Sequence, residues 1–119
     1  VHHQARFMRA TNEAPGWTSQ FRELIGSVDA NLDDATGRAD LLDADDYHAS
    51  QVFGAERRAA GSNGITWPSI RYPEGQCIAV FWPDVIPIPT QGAHFAYHWN
   101  GVAVDFVKQL DSGAVWEVW

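Results

Sequence analysis

The dipeptide Asn100-Gly101 constrains the fold of this chain more than any other pair of residues. It separates two β-like runs, residues 94–99 and 102–107. Asn-Gly readily adopts the positive φ that a two-residue type I′ turn needs at both central positions, so the two runs are predicted to pair antiparallel. Asp111-Ser112-Gly113 offers a second turn ahead of a third run, residues 114–119. Upstream, residues 76–82 form a near-continuous apolar run, the pattern of a strand buried on both faces. Ile65-Thr66-Trp67 reads as a short strand cut by Pro68, and Tyr72-Pro73-Glu74-Gly75 as a turn. Pro83, Pro87 and Pro89 make the stretch between them and residue 94 irregular and extended.

The first half of the chain is patterned differently. Residues 2–10 read as a helix that stops before Pro15-Gly16. Phe21, Leu24, Ile25 and Val28 fit a helical stripe better than a strand. Asp29, Asp33, Asp34, Asp40, Asp43, Asp45 and Asp46 crowd a turn-rich connector. A further helix follows it, capped by Asp43 or Asp45, with Ala49, Val52, Phe53, Ala59 and Ala60 on one face. Arg57 and Arg58 fall in its last turn, where cations meet the helix dipole favourably. Gly61 takes the position of a terminating left-handed residue. Helices first and strands after them predict an α+β fold, the helices packed on a mostly antiparallel C-terminal sheet.

Charge and composition exclude several functions. The net charge of −7 over 119 residues argues against a nucleic-acid surface. No apolar run reaches the length of a bilayer span, so no membrane association is expected. The acidic connector lacks EF-hand spacing. One cysteine, Cys77, allows no internal disulfide, which fits a cytoplasmic protein; in its apolar run it reads as a packed thiol. His94 and His98 share a strand face, but no familiar ligand spacing accompanies them and no metal is expected; a metal-dependent hydrolase using this pair is the least favoured reading. The nucleophile elbow of serine hydrolases, the P-loop and the dinucleotide-binding glycine pattern are all missing from the sequence.

The segment around Pro68 remains. Pro68 fixes the backbone just ahead of Ser69, and an extended chain would project Ser69 and Arg71 to one side. A hydroxyl beside a guanidinium suits a phosphate or a ribose. The alternative is a strand end whose serine caps a turn and whose arginine is solvated.

Gly64-Ile-Thr-Trp-Pro-Ser-Ile-Arg, followed by Gly75-Gln-Cys-Ile-Ala-Val-Phe, resembles the C-terminal signature of RES-domain proteins. Leu41-Leu42-Asp43 through Tyr47, Ser50-Gln51, Ala59-Ala60-Gly61-Ser62, Gln91-Gly92-Ala93-His94 and Tyr97-His98-Trp99 resemble the longer subgroup of that family. His2-His3-Gln4-Ala5-Arg6-Phe7 is similar to the middle of a RES helix. The resemblance spans nearly all of residues 1–119, read as the C-terminal portion of a RES domain whose upstream part is missing, because the opening helix begins at Val1 without a cap.

The resemblance implies an ADP-ribosyltransferase-like fold and a bacterial, cytoplasmic toxin of a toxin–antitoxin system. Such a protein degrades NAD, releasing nicotinamide and passing ADP-ribose to phosphate or water. NAD and inorganic phosphate would be substrates, and no cofactor is implied. It also implies a cognate antitoxin protein as partner. The family is named for an arginine, a glutamate and a serine. The serine matches Ser69 as the catalytic residue, with Trp67, Pro68 and Arg71 as the substrate-binding neighbours. The glutamate is expected just before Val1 and the arginine further upstream; Glu13, Glu23, Arg6 and Arg9 are not in the right context. These 119 residues alone are therefore expected to be nearly inactive, and a homodimer would cover apolar surface that Trp116 and Trp119 help to expose. The competing expectation is a degenerate family member kept as a non-catalytic module that binds a partner protein.

Overall fold

In the computed structural model, residues 1–118 are described; Trp119, expected to end the last strand, lies outside the described residues. The chain divides into two compact units. One comprises Val1–Ile25 and the chain from Pro89 on; the other is Gly26–Ile88.

The first unit is an antiparallel sheet carrying one helix. Helix α1 (His2–Arg9) precedes strand β1 (Thr18–Ile25). The rest of the unit is β5 (Thr90–Trp99), β6 (Val104–Gln109) and β7 (Val115–Glu117), in spatial order β1-β5-β6-β7. Ala5 and Met8, one turn apart on α1, are buried with Trp99, Val104 and Val107, while Phe95 and Tyr97 pack around them. Phe95, Tyr97 and Trp99 alternate along β5, as the two-residue period of a strand requires. Gln4 Nε2 donates to Ser19 Oγ at 3.0 Å and seats the helix over β1.

The expected helical stripe over residues 21–28 is instead this strand. β1 pairs with β5 from Thr18↔His98 to Ile25↔Thr90. Leu24 and Ile25 stay exposed, so no helical face is buried that could stabilise a helix there. The register shifts between Arg22 and Leu24. At that bulge Glu23 folds back, and its carboxylate accepts the Ala93 amide at 3.1 Å, a role the interrupted backbone ladder leaves open.

The hairpin at Asn100-Gly101 forms, but not as a type I′ turn. Gly101 has φ +99°, and among the described residues no non-glycine has a positive φ. Asn100 instead uses its side chain: Oδ1 accepts the amides of Val102 and Ala103, both at 2.9 Å. The connection runs through residues 100–103, with β6 starting at Val104. The turn at Asp111-Ser112-Gly113 joins β6 to β7 as expected, with Gly113 at φ +76°.

The second unit is a three-stranded sheet with a helix. β2 (Asp33–Asp34) runs parallel to β3 (Gly64–Pro68), and β3 pairs antiparallel with β4 (Gln76–Val80). Helix α2 (His48–Ala59) lies between β2 and β3 in the chain. Its C-terminus closes as the sequence predicts. Gly61 sits at φ +82°, its amide reaches Arg58 O at 3.1 Å, and the Ser62 amide reaches Arg57 O at 3.0 Å, the paired bonds of a Schellman motif. Its N-terminus differs: Tyr47 occupies the cap position, and its side chain does not cap the helix. Asp43 caps the preceding turn instead, accepting the amides of Asp45 and Asp46, both at 2.8 Å.

Helices and antiparallel pairing make the chain α+β, but its strands form two sheets rather than one C-terminal sheet. The prolines explain the division. Pro83, Pro87 and Pro89 lack amide donors between β4 and β5, which disfavours a direct β4–β5 hairpin, and among the described residues β4 pairs with β3 alone. β4 is thus an edge strand with Ile78 half exposed, not a strand buried on both faces.

β3 and β4 approach each other closely at Gly64. A Cβ there would lie 2.1 Å from the Ala79 carbonyl oxygen and 3.1 Å from Leu32 Cδ2. Gly54, inside α2, is open: a methyl group on its Cα would meet nothing within 4 Å. Gly64→Ala is expected to cost roughly 3 kcal/mol, as overpacking against backbone does. Gly54→Ala is expected to stabilise by about 0.5–1 kcal/mol through helix propensity. Thermal melts of the two variants beside the parent check both signs; a Gly64→Ala protein that melts with the parent would refute the close approach.

Candidate functional site

The candidate site is the loop that leaves β3. Trp67, opposite Cys77, and Pro68, opposite Gln76, are the last two residues of the strand, and both are half-buried. Pro68 stands where the ladder ends, so its missing donor costs nothing. The chain then bends instead of staying extended. The Ser69 amide donates to Gly75 O and the Gly75 amide to Tyr72 O, both at 2.8 Å. Glycine suits this bend, because a Cβ at Gly75 would lie 2.7 Å from Tyr72 Cδ1 and 3.1 Å from the Tyr72 carbonyl oxygen, and the tyrosine would have to shift.

Inside this loop Ser69 Oγ accepts two backbone amides, from Tyr72 at 3.1 Å and from Arg71 at 3.4 Å. The oxygen is thereby fixed in direction. The hydroxyl proton finds no acceptor among the described residues, so it can be offered to a ligand oxygen.

Because the loop bends, Arg71 does not lie alongside Ser69 as an extended chain would place it. Its Nη2 donates to Tyr47 Oη at 2.7 Å and to Ala44 O at 3.1 Å. Both acceptors are neutral. Arg38 and Arg57, by contrast, are paired with Asp40 at 2.8 Å and Asp33 at 2.7 Å. Arg71 forms no ion pair among the described residues, and its buried Nε has no hydrogen-bond partner there. An arginine held this way retains an uncompensated charge.

The acidic connector delivers those acceptors. Asp43, whose carboxyl is held below the usual carboxylate range by the Asp46 and Asp45 amides, folds the turn that carries Ala44 and Tyr47. Sequence reasoning placed Tyr47 only as an early residue of α2 and missed its contact with Arg71. The available signal was Asp43 three residues ahead of Asp46, the spacing of an aspartate-capped turn.

In the first unit a histidine and a carboxylate stand close together. His98 Nδ1 stands 2.6 Å from Asp105 Oδ1 across the irregular β5–β6 register. His94 is four residues away on the same strand, about 13 Å, too far for the two imidazoles to share one ion. At a shallow hollow beside α1, the rings of Phe21 and Tyr97 pack tilted at 42° with centroids 4.8 Å apart, next to Gln4 and Arg22.

Against this geometry the comparisons with known proteins give one result. The family model described as the RES domain matches residues 1–100. The chain belongs to the RES domain family. Neither the curated proteins nor the solved structures provide a match.

Carboxylates held below their usual range shape the acid limb of stability, Asp105 and Asp33 among them. Asp105 is held below the usual range chiefly by the His98 hydrogen bond, and Asp33 by hydrogen bonds from Ser62 and then Arg57. A depressed carboxyl contributes stability that is fully present above its unfolded-state pKa, about 4, and is lost as pH falls through the lower folded value. The melting temperature is therefore expected to hold from pH 7 to 5 and to drop below pH 4. Asp105→Asn is expected to lower it at pH 7 and flatten that drop. An unchanged slope in the variant would remove Asp105 from the acid response.

Proposed function

We propose that this RES domain binds NAD and cleaves its nicotinamide–ribose bond, passing ADP-ribose to phosphate or water. The observation that carries this reading is the family match across residues 1–100, which includes Trp67, Pro68, Ser69 and Arg71. The loop geometry supports it: a hydroxyl whose oxygen is fixed by two amides is a preorganised donor, and the Arg71 guanidinium on the same loop forms no ion pair among the described residues.

In this reading the C–N bond to nicotinamide breaks with its electron pair leaving on the ring nitrogen. A phosphate or water oxygen bonds to the ribose carbon, water losing a proton as it does so. Ser69 donates its O–H to a ribose or phosphate oxygen. Arg71 offers Nη1 to an anionic oxygen, and Trp67 and Pro68 hold the strand end in place. The positive charge that develops on the ribose calls for a carboxylate, the glutamate of the family name. The same reading includes an ADP-ribosyltransferase-like fold, a cytoplasmic toxin and an antitoxin partner.

One observation favours a second reading. Ser69 caps its own loop and Arg71 braces the turn at residues 44–47, so both side chains also have structural duties. A non-catalytic RES module that binds a partner protein would need nothing more from them.

Nicotinamide release by the natural gene product, with and without phosphate, separates the two. Release that rises with phosphate and falls at least a hundredfold in Ser69→Ala is the expected result, in the range that loss of one preorganised donor gives. The variant also loses the acceptor for two amides, so its melting temperature is measured alongside. Absence of NAD turnover in the folded natural product would leave the interaction module.

A further inference from the structure

We propose that Tyr47 is a positioning residue for this site: its hydroxyl sets the Arg71 guanidinium so that Nη1 faces an anionic group of the ligand. The inference rests on the reading of Arg71 as a substrate-binding residue.

The five N–H donors of the Arg71 guanidinium are used unequally. Nη2 commits both of its hydrogens, one to Tyr47 Oη and one to Ala44 O. Nε is buried and has no hydrogen-bond partner among the described residues. That leaves Nη1, which makes no bond to the described residues and is not enclosed. The planar fork is thus fixed on one side by neutral oxygens, and its remaining pair of donors opens away from them. A buried Nε–H without an acceptor is costly, and a solvated arginine would avoid that cost by swinging outward. Anchoring through Tyr47 and Ala44 keeps it in place.

The acceptors are also of a particular kind. A carboxylate from the adjacent acidic turn would hold Arg71 more strongly, but it would neutralise the charge. Asp43 and Asp46 are instead turned to backbone amides, at 2.8 Å from Asp45 and Asp46 and 2.9 Å from His48. The positive charge therefore remains available to a phosphate or pyrophosphate oxygen, the group a guanidinium binds best. Tyr47 Oη and the Ala44 carbonyl orient the cation without competing for it.

The test uses inorganic pyrophosphate as the probe and the natural gene product as the protein. With arginine labelled by nitrogen-15, the Nε–Hε signal that disappears in Arg71→Lys reports directly on this guanidinium. Titration of the parent is expected to move that signal, and Tyr47→Phe to weaken the apparent affinity roughly tenfold, the loss of one hydrogen bond to a charged group. Tyr47→Met, smaller but still apolar and without the hydroxyl, is expected to behave alike. Where NAD is turned over, KM is expected to rise by a similar factor in Tyr47→Phe while kcat stays within twofold and the melting temperature within a few degrees.

Parent-like pyrophosphate affinity in either folded variant would overturn the proposal, as would a parent that does not bind the probe at all. A fall in kcat and melting temperature together, without a change in KM, would also overturn it by making Tyr47 merely structural. A folded parent that binds pyrophosphate through Arg71, weakens with Tyr47→Phe and yet turns over no NAD would sustain the positioning role and end the NAD reading.

Discussion

The close approach of β3 to β4 at Gly64 is the contact on which the second unit depends. With hydrogen in place of a side chain, the Ala79 carbonyl comes within 2.1 Å of where a Cβ would stand. That spacing lets β3 keep both neighbours, β2 on one side and β4 on the other. At the other end of the same strand Pro68, opposite Gln76, closes the ladder, and Ser69 leaves the sheet. Each later feature of the loop follows from that exit: the bend closed by Gly75, the two amides on Ser69 Oγ, and the reach of Arg71 to residues 44–47.

Electrostatics divides the arginines of this unit by task. Arg57 is tied to Asp33 and Arg38 to Asp40, pairs that are partly or well exposed and so contribute modestly. Arg57 still joins the end of α2 to β2, which gives its pair an architectural meaning. Arg58 lies over the Trp82 ring at 5.3 Å, and the Trp82 indole donates to Ser62 O at 2.8 Å. Arg71 alone among these four is held by neutral hydrogen-bond acceptors.

Much of this was legible in the sequence where a local rule sufficed. The termination of α2 at Gly61 needs only a left-handed residue and two amides, and the chain supplies both. The hairpins after residues 99 and 109 needed turn residues between β-like runs. β1 was not legible, because Phe21, Leu24 and Ile25 satisfy a helical spacing, and only the ten-residue partner β5 decides for a strand. The division into two sheets was hidden for a related reason: three prolines disfavour a β4–β5 hairpin, but their spacing does not say which strands pair instead. Pro68, Ser69 and Arg71 stand out in the sequence as a group, and all three fall at the strand end and the loop that leaves it. The bend that separates Ser69 from Arg71, and the engagement of Tyr47, depend on tertiary contacts that no motif encodes, including those that Arg71 makes with residues 24 and 27 positions away.

The bulge at Glu23 has a consequence for assembly of the first sheet. A regular antiparallel pair can slide by two residues and lose little beyond its end contacts. Here the carboxylate of Glu23 replaces a backbone acceptor at one site only, the Ala93 amide, and the bare Gly92 beside it leaves room for the side chain to lie down. Any slide of β1 along β5 would strand that amide and push the carboxylate against a residue with a Cβ. One misplaced acid thus acts as an index mark, fixing a single alignment for the longest strand pairing in the molecule.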